Sequence, residues 1–355
     1  MSKRIAYCAD GTWDSSSNNS NVYRLFKSIL TTADQVAYYD DGVGADGLPL
    51  EKLVGGAFGT GLFQKIKDGY SKISQVYEAD DELFVFGFSR GAYTARSLAG
   101  MIAICGLPTK DFDDNLVETA FQAYRNKDQR TQLLSTLGKY GMYDAKLTMV
   151  GVWDTVGALG IPAVFGAVSP LIYGFLDTSL HPDVLNAYHA LAIDERRAAF
   201  PPTLWTSQNP GQTLEQVWFC GVHSDVGGGY AADADGTALS DLTLGWMIDK
   251  ASDLGLVIDP GVESKYSIPL DPEDALDQLH ESWNPLWGFP RRRTITGSAT
   301  LSNSVLVRCE TDASYRPQNL QFSNGTLAGQ YAMAPVVSVP AALTAAASAG
   351  GTPSR

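Results

Sequence analysis

Short apolar runs alternate with segments of helical periodicity over the first two thirds of the chain. Lys3–Ala9, Leu83–Phe86 and Leu147–Val152 are mainly apolar, which is typical of strands buried on both faces of a parallel sheet. After the first of these runs, apolar residues recur at spacings of three and four over Val22–Leu30, which predicts an amphipathic helix. This alternation predicts an α/β protein with a doubly wound, mostly parallel sheet.

The same periodicities predict the remaining elements. Further strands are predicted over Gln35–Tyr39 and Val217–Val222. A glycine-rich segment, Gly55–Gly61, is expected to be a mobile loop before the next helix. Further helices are predicted over Leu62–Tyr77, Gly91–Ile104, Asp111–Leu137 (one or two helices), His181–Ile193 and Leu239–Leu254. Beyond about Asp259 the pattern fades.

We expect one catalytic domain over residues 1–300, with cap or lid insertions at 111–140 and 158–195. The second insertion contains a long uncharged stretch that is interrupted by two prolines and three glycines, so it is not expected to span a membrane as a helix. Residues 301–333 are expected to extend the domain. Residues 334–355, rich in Ala, Ser, Gly, Thr and Pro, are predicted to be a flexible tail.

Composition and charge narrow the classes of partner. The 355 residues are 45% hydrophobic and carry a formal net charge of −13. Such a surface repels phosphate backbones at long range, so nucleic acid is not an expected partner. Contact with a membrane would be transient, apolar and local. The basic start of the chain lacks the apolar stretch of a signal peptide, which predicts a cytoplasmic protein unless a signal-independent route exports it.

A serine motif follows the apolar strand at Leu83–Phe86. Gly87-Phe88-Ser89-Arg90-Gly91 fits the pattern G-x-S-x-G and directly precedes a predicted helix. This strand–turn–helix context is that of a nucleophile elbow, in which the turn projects the serine oxygen above the sheet. The alternative is an ordinary junction in which the serine caps the helix. The context favours Ser89 as a nucleophile.

A serine hydroxyl needs a general base, and the chain has four histidines. His223 is favoured because it follows the strand Val217–Val222 and precedes a run of glycines. His280 is the rival, since it also lies near small polar groups. His189, within a predicted helix, and His181, before a proline at a helix start, are expected to be structural.

The third member of a triad is expected at the carboxyl end of a strand. Asp154 follows the strand Leu147–Val152, and the order Ser89, Asp154, His223 is that of α/β hydrolases. Its role would be to orient the imidazole. The alternative is an aspartate that caps the next turn. Asp225, two residues after His223, is the runner-up and is expected to brace the glycine turn.

Backbone amides are expected to form the oxyanion hole. One is that of Arg90, which follows the nucleophile. The other is expected from the loop Asp10-Gly11-Thr12 after the first strand, with Gly11 and Thr12 as the candidates. Asp10 itself is expected either to support the site or to organise this loop as a buried hydrogen-bond acceptor.

Other signals do not predict a cofactor or a metal. Gly55–Gly61 lacks the Gly-Lys-Ser/Thr ending of a phosphate-binding loop. The four cysteines are far apart, so a zinc site is not expected and reduced core residues are favoured. Asp233-Ala234-Asp235-Gly236 has the wrong flanking ligands for a calcium loop. Arg291-Arg292-Arg293 would hold a phosphate or, more commonly, form a solvated basic turn.

Four blocks together resemble a bacterial and fungal family of uncharacterised α/β-hydrolase domains that includes phospholipase effectors delivered by type VI secretion. The blocks are Asp10–Trp13, Gly87–Ala92, Val152–Gly157 and His223–Tyr230. The resemblance covers roughly residues 1–300. It implies an α/β-hydrolase fold with helical cap insertions and a triad carried by Ser89, Asp154 and His223. It also implies lipid esters as a substrate class.

The resulting hypothesis is a serine hydrolase that cleaves carboxylic esters of small molecules, lipids or phospholipids through an acyl-enzyme, without a metal or cofactor. Two alternatives use the same fold. An acyltransferase would pass the acyl group to an alcohol or thiol instead of water. A non-catalytic interaction module would keep the fold without activity.

Overall fold

A parallel sheet is the centre of the fold. The computed structural model describes residues 2–11, 19–42, 56–157, 178–328 and 330–339, with residues 56–60 described only by their backbone. The strands of these segments are β1 (Arg4–Ala9), β2 (Gln35–Asp40), β3 (Glu82–Phe88), β4 (Leu107–Pro108), β5 (Met142–Tyr143), β6 (Leu147–Trp153), β7 (Asn186–Ala192), β8 (Thr213–Phe219), β9 (Thr300–Ser302), β10 (Phe322–Ser323), β11 (Thr326–Leu327) and β12 (Ala332–Ala334). Eight of them form one all-parallel sheet in the order β12-β9-β8-β7-β6-β3-β1-β2.

Helices cover both faces of this sheet. The α-helices of the described segments are α1 (Asn21–Ser28), α2 (Gly56–Ser74), α3 (Ser89–Cys105), α4 (Asp114–Arg125), α5 (Arg130–Leu137), α6 (His223–Gly227), α7 (Leu239–Asp253), α8 (Pro260–Lys265) and α9 (Asn303–Thr311). Short 3₁₀ helices are formed by Gly138–Tyr140, Pro272–Leu276 and Pro285–Trp287.

The layers follow from the alternation of side chains along each strand. In β1, Ile5 and Tyr7 pack in one core with residues of α2, α3 and α4. Ala6 and Cys8, on the opposite face, pack with α1 and α7. The sheet is therefore buried on both faces, and the expectation of a doubly wound α/β fold is confirmed. The predicted insertion 111–140 contains α4 and α5, which belong to the helical layer on the first face.

The prediction of a helix over His181–Ile193 is wrong. Asn186–Ala192 is β7, which pairs with β6 on one side and β8 on the other. Because a strand buried on both faces shows no polar–apolar alternation, its small apolar residues resemble a helical pattern. The predicted lid at 158–195 therefore does not extend to 195, and its part at 158–177 lies outside the described residues.

Two further boundaries differ from the sequence prediction. The backbone of α2 begins at Gly56, so the segment Gly55–Gly61 is not a loop before the helix. The predicted tail does not begin at residue 334, because Ala334 ends β12 and Val336 and Val337 are buried. The strands that complete the sheet edge are short here, so their apolar residues show no periodic pattern.

The parallel arrangement brings the carboxyl ends of the strands to one edge. Ser89 follows β3, Asp154 follows β6 and His223 follows β8 after a short turn. Such edges collect the functional groups of open α/β sheets. None of the helices within the described part of the chain combines the length and the apolar character needed to cross a bilayer.

Candidate active site

Ser89 stands at a sharp turn between β3 and α3. Its φ angle is +58°, in the left-handed region, which costs a residue with a side chain about 1–2 kcal/mol. Phe88 before it is still extended, and α3 begins at Ser89 itself. The side chain is 4% exposed. This strained strand-to-helix turn is the geometry that the serine motif predicts.

The glycines of the motif allow this turn to close. A Cβ on Gly87 would lie 2.4 Å from the carbonyl oxygen of Gly91. A Cβ on Gly91 would lie 2.2 Å from the carbonyl oxygen of Ala9 in β1. Since neither contact can be relieved by moving a flexible side chain, both positions require glycine. The two glycines thus let α3 approach β1 and hold Ser89 above the sheet edge.

His223 connects Ser89 to Asp154. The distance from His223 Nε2 to Ser89 Oγ is 2.8 Å, and that from His223 Nδ1 to Asp154 Oδ2 is 2.5 Å. His223 is 4% exposed and Asp154 is fully buried. The residues are separated by 134 and 69 positions in the sequence. The three side chains that the sequence indicated as a candidate triad therefore form a continuous series of hydrogen bonds.

Two aromatic rings pack against the His223 imidazole. The ring of Phe88 lies 4.6 Å from it, centroid to centroid, and that of Phe200 lies 5.0 Å away, edge to face. A Cβ on Gly227 would lie 1.9 Å from the Phe88 ring, so the glycine leaves the space that Phe88 fills. These contacts hold the imidazole plane in position and exclude water from it.

Arg293 binds the same carboxylate of Asp154 that His223 contacts, which the sequence did not predict. Its two terminal nitrogens lie 2.5 Å from Asp154 Oδ1 and 2.8 Å from Oδ2. The same nitrogens donate to the carbonyl oxygens of Ala192 and Phe200. Arg293 is 5% exposed, so the expectation that it belongs to a solvated or phosphate-binding turn is wrong. No local signal could have found this pair, because 139 positions separate its members.

The pKa values of the site follow from burial and from these contacts. Burial alone would raise the pKa of Asp154, but the charge of Arg293 and the hydrogen bond from His223 outweigh it and hold that pKa well below the usual range. Burial lowers the pKa of His223, and the neighbouring Asp154 carboxylate opposes this shift only in part. The acid is thus ionised and the imidazole is disposed to be neutral near pH 7.

Two acids, the buried Glu195 and the half-buried Asp194, brace the segment that carries His223. Glu195 accepts hydrogen bonds from the backbone N–H of His223 (3.3 Å) and from Ser282 Oγ (2.9 Å). Burial would raise the pKa of Glu195, but its ion pair with Arg197 lowers it to about 2. Asp194 accepts from the N–H of Gly221 (2.7 Å). The sequence analysis missed both acids, since a charged stretch after a strand is usually solvated.

His280 and Asp225 form a second pair apart from Ser89. His280 Nδ1 lies 2.7 Å from Asp225 Oδ1, and its ring stacks on Tyr230 at 3.8 Å between centroids. Asp225 also accepts from the N–H of Val222, 3.0 Å away. Asp225 thus braces the turn before His223, on the other side of the histidine from the glycine turn that it was expected to brace, and the rival base His280 is engaged elsewhere.

The candidates for the oxyanion hole are only partly within the described residues. Asp10 is buried and accepts from Ser20 Oγ (2.5 Å) and from Tyr39 (2.7 Å). The Gly11 N–H donates to Asp10 Oδ1 at 2.8 Å, so Asp10 organises this loop. Thr12 lies outside the described residues. Arg90 is in the first turn of α3, where amide groups point toward the helix start and the helix dipole favours negative charge.

The remaining predicted residues have structural positions. His189 is on β7, fully buried, and its Nε2 accepts from the N–H of Thr155 at 3.0 Å. All four cysteines are free and buried, as expected of core residues. Among the described residues, no group of three or more His, Cys, Asp and Glu side chains is arranged to hold a metal ion.

The parallel sheet, its helical layers and the serine turn at its carboxyl edge are those of the α/β-hydrolase fold. Over residues 3–250 it matches the family described as T6SS, Phospholipase effector Tle1-like, catalytic domain. The chain belongs to this family, so the resemblance seen in the sequence is confirmed.

The individual proteins that are similar to this chain have low sequence identity to it. An uncharacterized protein of Saccharomyces cerevisiae is 27% identical over 251 residues, which are 63% of this chain and 36% of the yeast protein. The chain thus spans about a third of that protein's length. An uncharacterized protein from Pseudomonas aeruginosa of known structure is 18% identical, with a TM-score of 0.45, over 76% of this chain and 49% of that one. A type II thioesterase from the yersiniabactin NRPS/PKS biosynthetic pathway is 14% identical, with a TM-score of 0.32, over 63% of this chain and 87% of the thioesterase chain.

Proposed function

We propose that the chain is a serine hydrolase that cleaves carboxylic esters of lipids through an acyl-enzyme on Ser89. The observation that carries this proposal is the continuous hydrogen-bonded chain from Ser89 Oγ through His223 to Asp154, at the elbow of an α/β-hydrolase sheet. Membership in a family of phospholipase effectors supports lipid esters as the substrate class.

The contacts support a proposed role for each side chain. In the neutral imidazole, Nδ1–H donates to Asp154 and Nε2 accepts from the Ser89 hydroxyl. As Ser89 Oγ attacks the ester carbonyl carbon, Nε2 takes the hydroxyl proton and then gives it to the leaving alcohol. In the second half of the reaction, a water molecule gives a proton to Nε2 and attacks the acyl carbonyl carbon. Nε2 then returns the proton to Ser89 Oγ as the acyl bond breaks and the carboxylic acid leaves. Asp154 stays ionised throughout and stabilises the imidazolium that forms at each step.

The negative oxygen of the tetrahedral intermediate needs amide donors. We assign one to the backbone N–H of Arg90, because the first turn of α3 directs its amides and its dipole toward the Ser89 end of the helix. The second donor is assigned to Thr12. Gly11 is less suited to this role because its amide donates to Asp10.

A fluorophosphonate probe tests the nucleophile directly. The probe reacts with a serine only when a base activates its hydroxyl, so we expect stoichiometric labelling of the full chain at Ser89, located by peptide mass spectrometry. His223→Ala is expected to abolish labelling. His280→Ala, which removes the histidine that is paired with Asp225, is expected to keep it. Labelling at another serine, or none in the folded wild type, would contradict the proposal.

Arg293 is proposed as a positioning residue whose removal changes the pH profile. His223 accepts a proton only when it is neutral, so kcat/KM falls as the pH decreases through the His223 pKa. Because burial lowers this pKa, we expect the wild-type acid limb below about pH 6.5. Arg293→Gln removes a cation next to the His223–Asp154 pair, and we expect the limb to move to higher pH.

A matched buried arginine separates this electrostatic effect from lost stability. Arg293→Gln leaves Asp154 buried without its partner, which we expect to lower the free energy of unfolding by about 3 kcal/mol. Arg308 is also buried, but it donates to the carbonyl oxygens of Ala275 and Asp277. Arg308→Gln is therefore expected to lower the unfolding temperature and leave the acid limb in place. Equal pH profiles for the Arg293 variant and the wild type would show that Arg293 is only structural.

A further inference from the structure

A loop at the rim of the site exposes two large apolar side chains. The rim loop, residues 283–290, presents Leu286 at 82% and Phe289 at 94% exposure. Other large apolar side chains that are exposed in the described segments reach only 38–40%. Adjacent side chains of this size are rarely left in water on a monomer's surface unless they have an interaction partner.

The rim loop is held in shape by its own hydrogen bonds. Asn284 Oδ1 accepts from the N–H of Leu286 at 3.0 Å, and its carbonyl accepts from the N–H of Trp287, also at 3.0 Å. Trp283 Nε1 donates to the carbonyl oxygen of Gly288 at 3.0 Å and closes the loop. The exposure of Leu286 and Phe289 thus belongs to an ordered turn. Because the turn is already ordered, binding a partner at Leu286 and Phe289 costs little conformational entropy.

The rim loop is also in direct contact with the site. The ring of Trp287 packs edge to face on Phe200 at 5.4 Å, and Phe200 packs on His223. Three residues after the loop, Arg293 binds Asp154. A surface that contacts the rim loop therefore lies close to Ser89, His223 and Asp154.

Positive charge is concentrated at the end of the rim loop. Arg291 and Arg292 are exposed, and no ion pair within the described residues includes either of them, whereas Arg196 and Arg197 nearby are paired with Glu281 and Glu195. The chain as a whole carries a net charge of −13. At physiological ionic strength distant charges are screened beyond about 8 Å, so these two arginines determine the local potential.

We propose that the rim loop docks the enzyme on a phospholipid bilayer surface. Leu286 and Phe289 insert among the acyl chains near the headgroups, while Arg291 and Arg292 contact the headgroup phosphates. The tryptophans beside them have the amphipathic character of residues found at this depth. The inference rests on the proposed function, since a lipid ester is encountered at such a surface, and it adds a docking element outside the region that the family match covers.

Vesicle binding tests the apolar part of the surface. The full chain carrying Ser89→Ala, which keeps lipids intact, is floated with unilamellar vesicles of phosphatidylcholine containing about 30% phosphatidylglycerol. Adding Leu286→Ser and Phe289→Ser is expected to weaken partitioning about 30-fold, because two apolar side chains no longer leave water. A control with Val257→Ser and Met333→Ser, two exposed apolar residues elsewhere, is expected to bind like the parent.

Charge variants test the second part. Arg291→Gln with Arg292→Gln is expected to weaken partitioning about tenfold, with a smaller difference at high salt. Lys110→Gln with Lys139→Gln removes the same charge from exposed positions elsewhere and is expected to have little effect. Thermal unfolding of each variant verifies that the fold is retained.

The outcomes separate this inference from the proposed function. Equal vesicle binding with and without Leu286 and Phe289 would overturn the docking inference, whatever the wild type hydrolyses. A dimer in sedimentation that these substitutions dissociate, without vesicle binding by the parent, would also overturn it and identify a second copy as the partner. Because Ser89→Ala protein is used, a wild type without esterase activity would refute the proposed function and leave the binding result intact.

Discussion

Ser89→Ala is expected to lower kcat/KM for a generic ester by about 10⁴- to 10⁶-fold, the range set by loss of a serine nucleophile. The covalent step needs the Oγ atom that lies 2.8 Å from His223 Nε2, and alanine supplies no oxygen in its place. The fold should persist, since alanine removes one polar atom and no packing. The measurement is steady-state hydrolysis of a soluble ester and of phospholipid.

Ser97 supplies the control for this experiment. It lies on the same helix and is fully buried, and its Oγ has no hydrogen-bond partner among the residues that the structure describes. Ser97→Ala thus makes the same chemical change in α3 without touching His223, and its activity is expected to remain near that of the wild type. Substantial turnover by Ser89→Ala would show that another group starts the reaction.

Asp154→Asn is expected to reduce kcat by about 10⁴-fold with a smaller change in KM. An amide at this position can donate to Nδ1, which stabilises the imidazole tautomer that cannot accept the serine proton. It also leaves no negative charge to stabilise the imidazolium. In addition, Arg293 would remain buried without its carboxylate, so a lower unfolding temperature should accompany the loss of rate.

The second His–Asp pair provides the comparison. Asp225→Asn makes the same exchange beside His280 and is expected to change kcat by no more than about tenfold, because Asp225 braces backbone and does not contact the imidazole of His223. Comparable losses in the two variants would mean that the Asp154 contact has no special role in the reaction.

Arg293 gives the acid of this site an unusual environment. Both carboxylate oxygens of Asp154 accept hydrogen bonds from His223 or Arg293, and these contacts offset the free-energy cost of burying its charge. The same arginine reduces the negative potential at His223 and so favours the neutral base. Arg293 follows the rim loop by three residues along the chain and binds Asp154 by an ion pair, so the element proposed to contact lipid is anchored to the proposed catalytic groups.

Local sequence patterns were sufficient for much of the fold. The apolar runs at β1, β3 and β6 predicted buried parallel strands, and the glycine spacing around Ser89 predicted the elbow. The prediction failed at Asn186–Ala192, because a strand shielded on both faces carries no period of two. It also failed at the sheet edge near residue 334, where three-residue strands are too short to show any period.

The sequence by itself determined the α/β alternation, the elbow and a short set of candidate residues, because each depends on neighbours within a few positions. Only the tertiary structure decided that His223 and not His280 meets Ser89, that Arg293 closes on Asp154, and that Leu286 and Phe289 remain in water beside the site. These outcomes depend on which strand ends and loops come together in space. A contact between residues more than a hundred positions apart leaves no pattern in either segment alone.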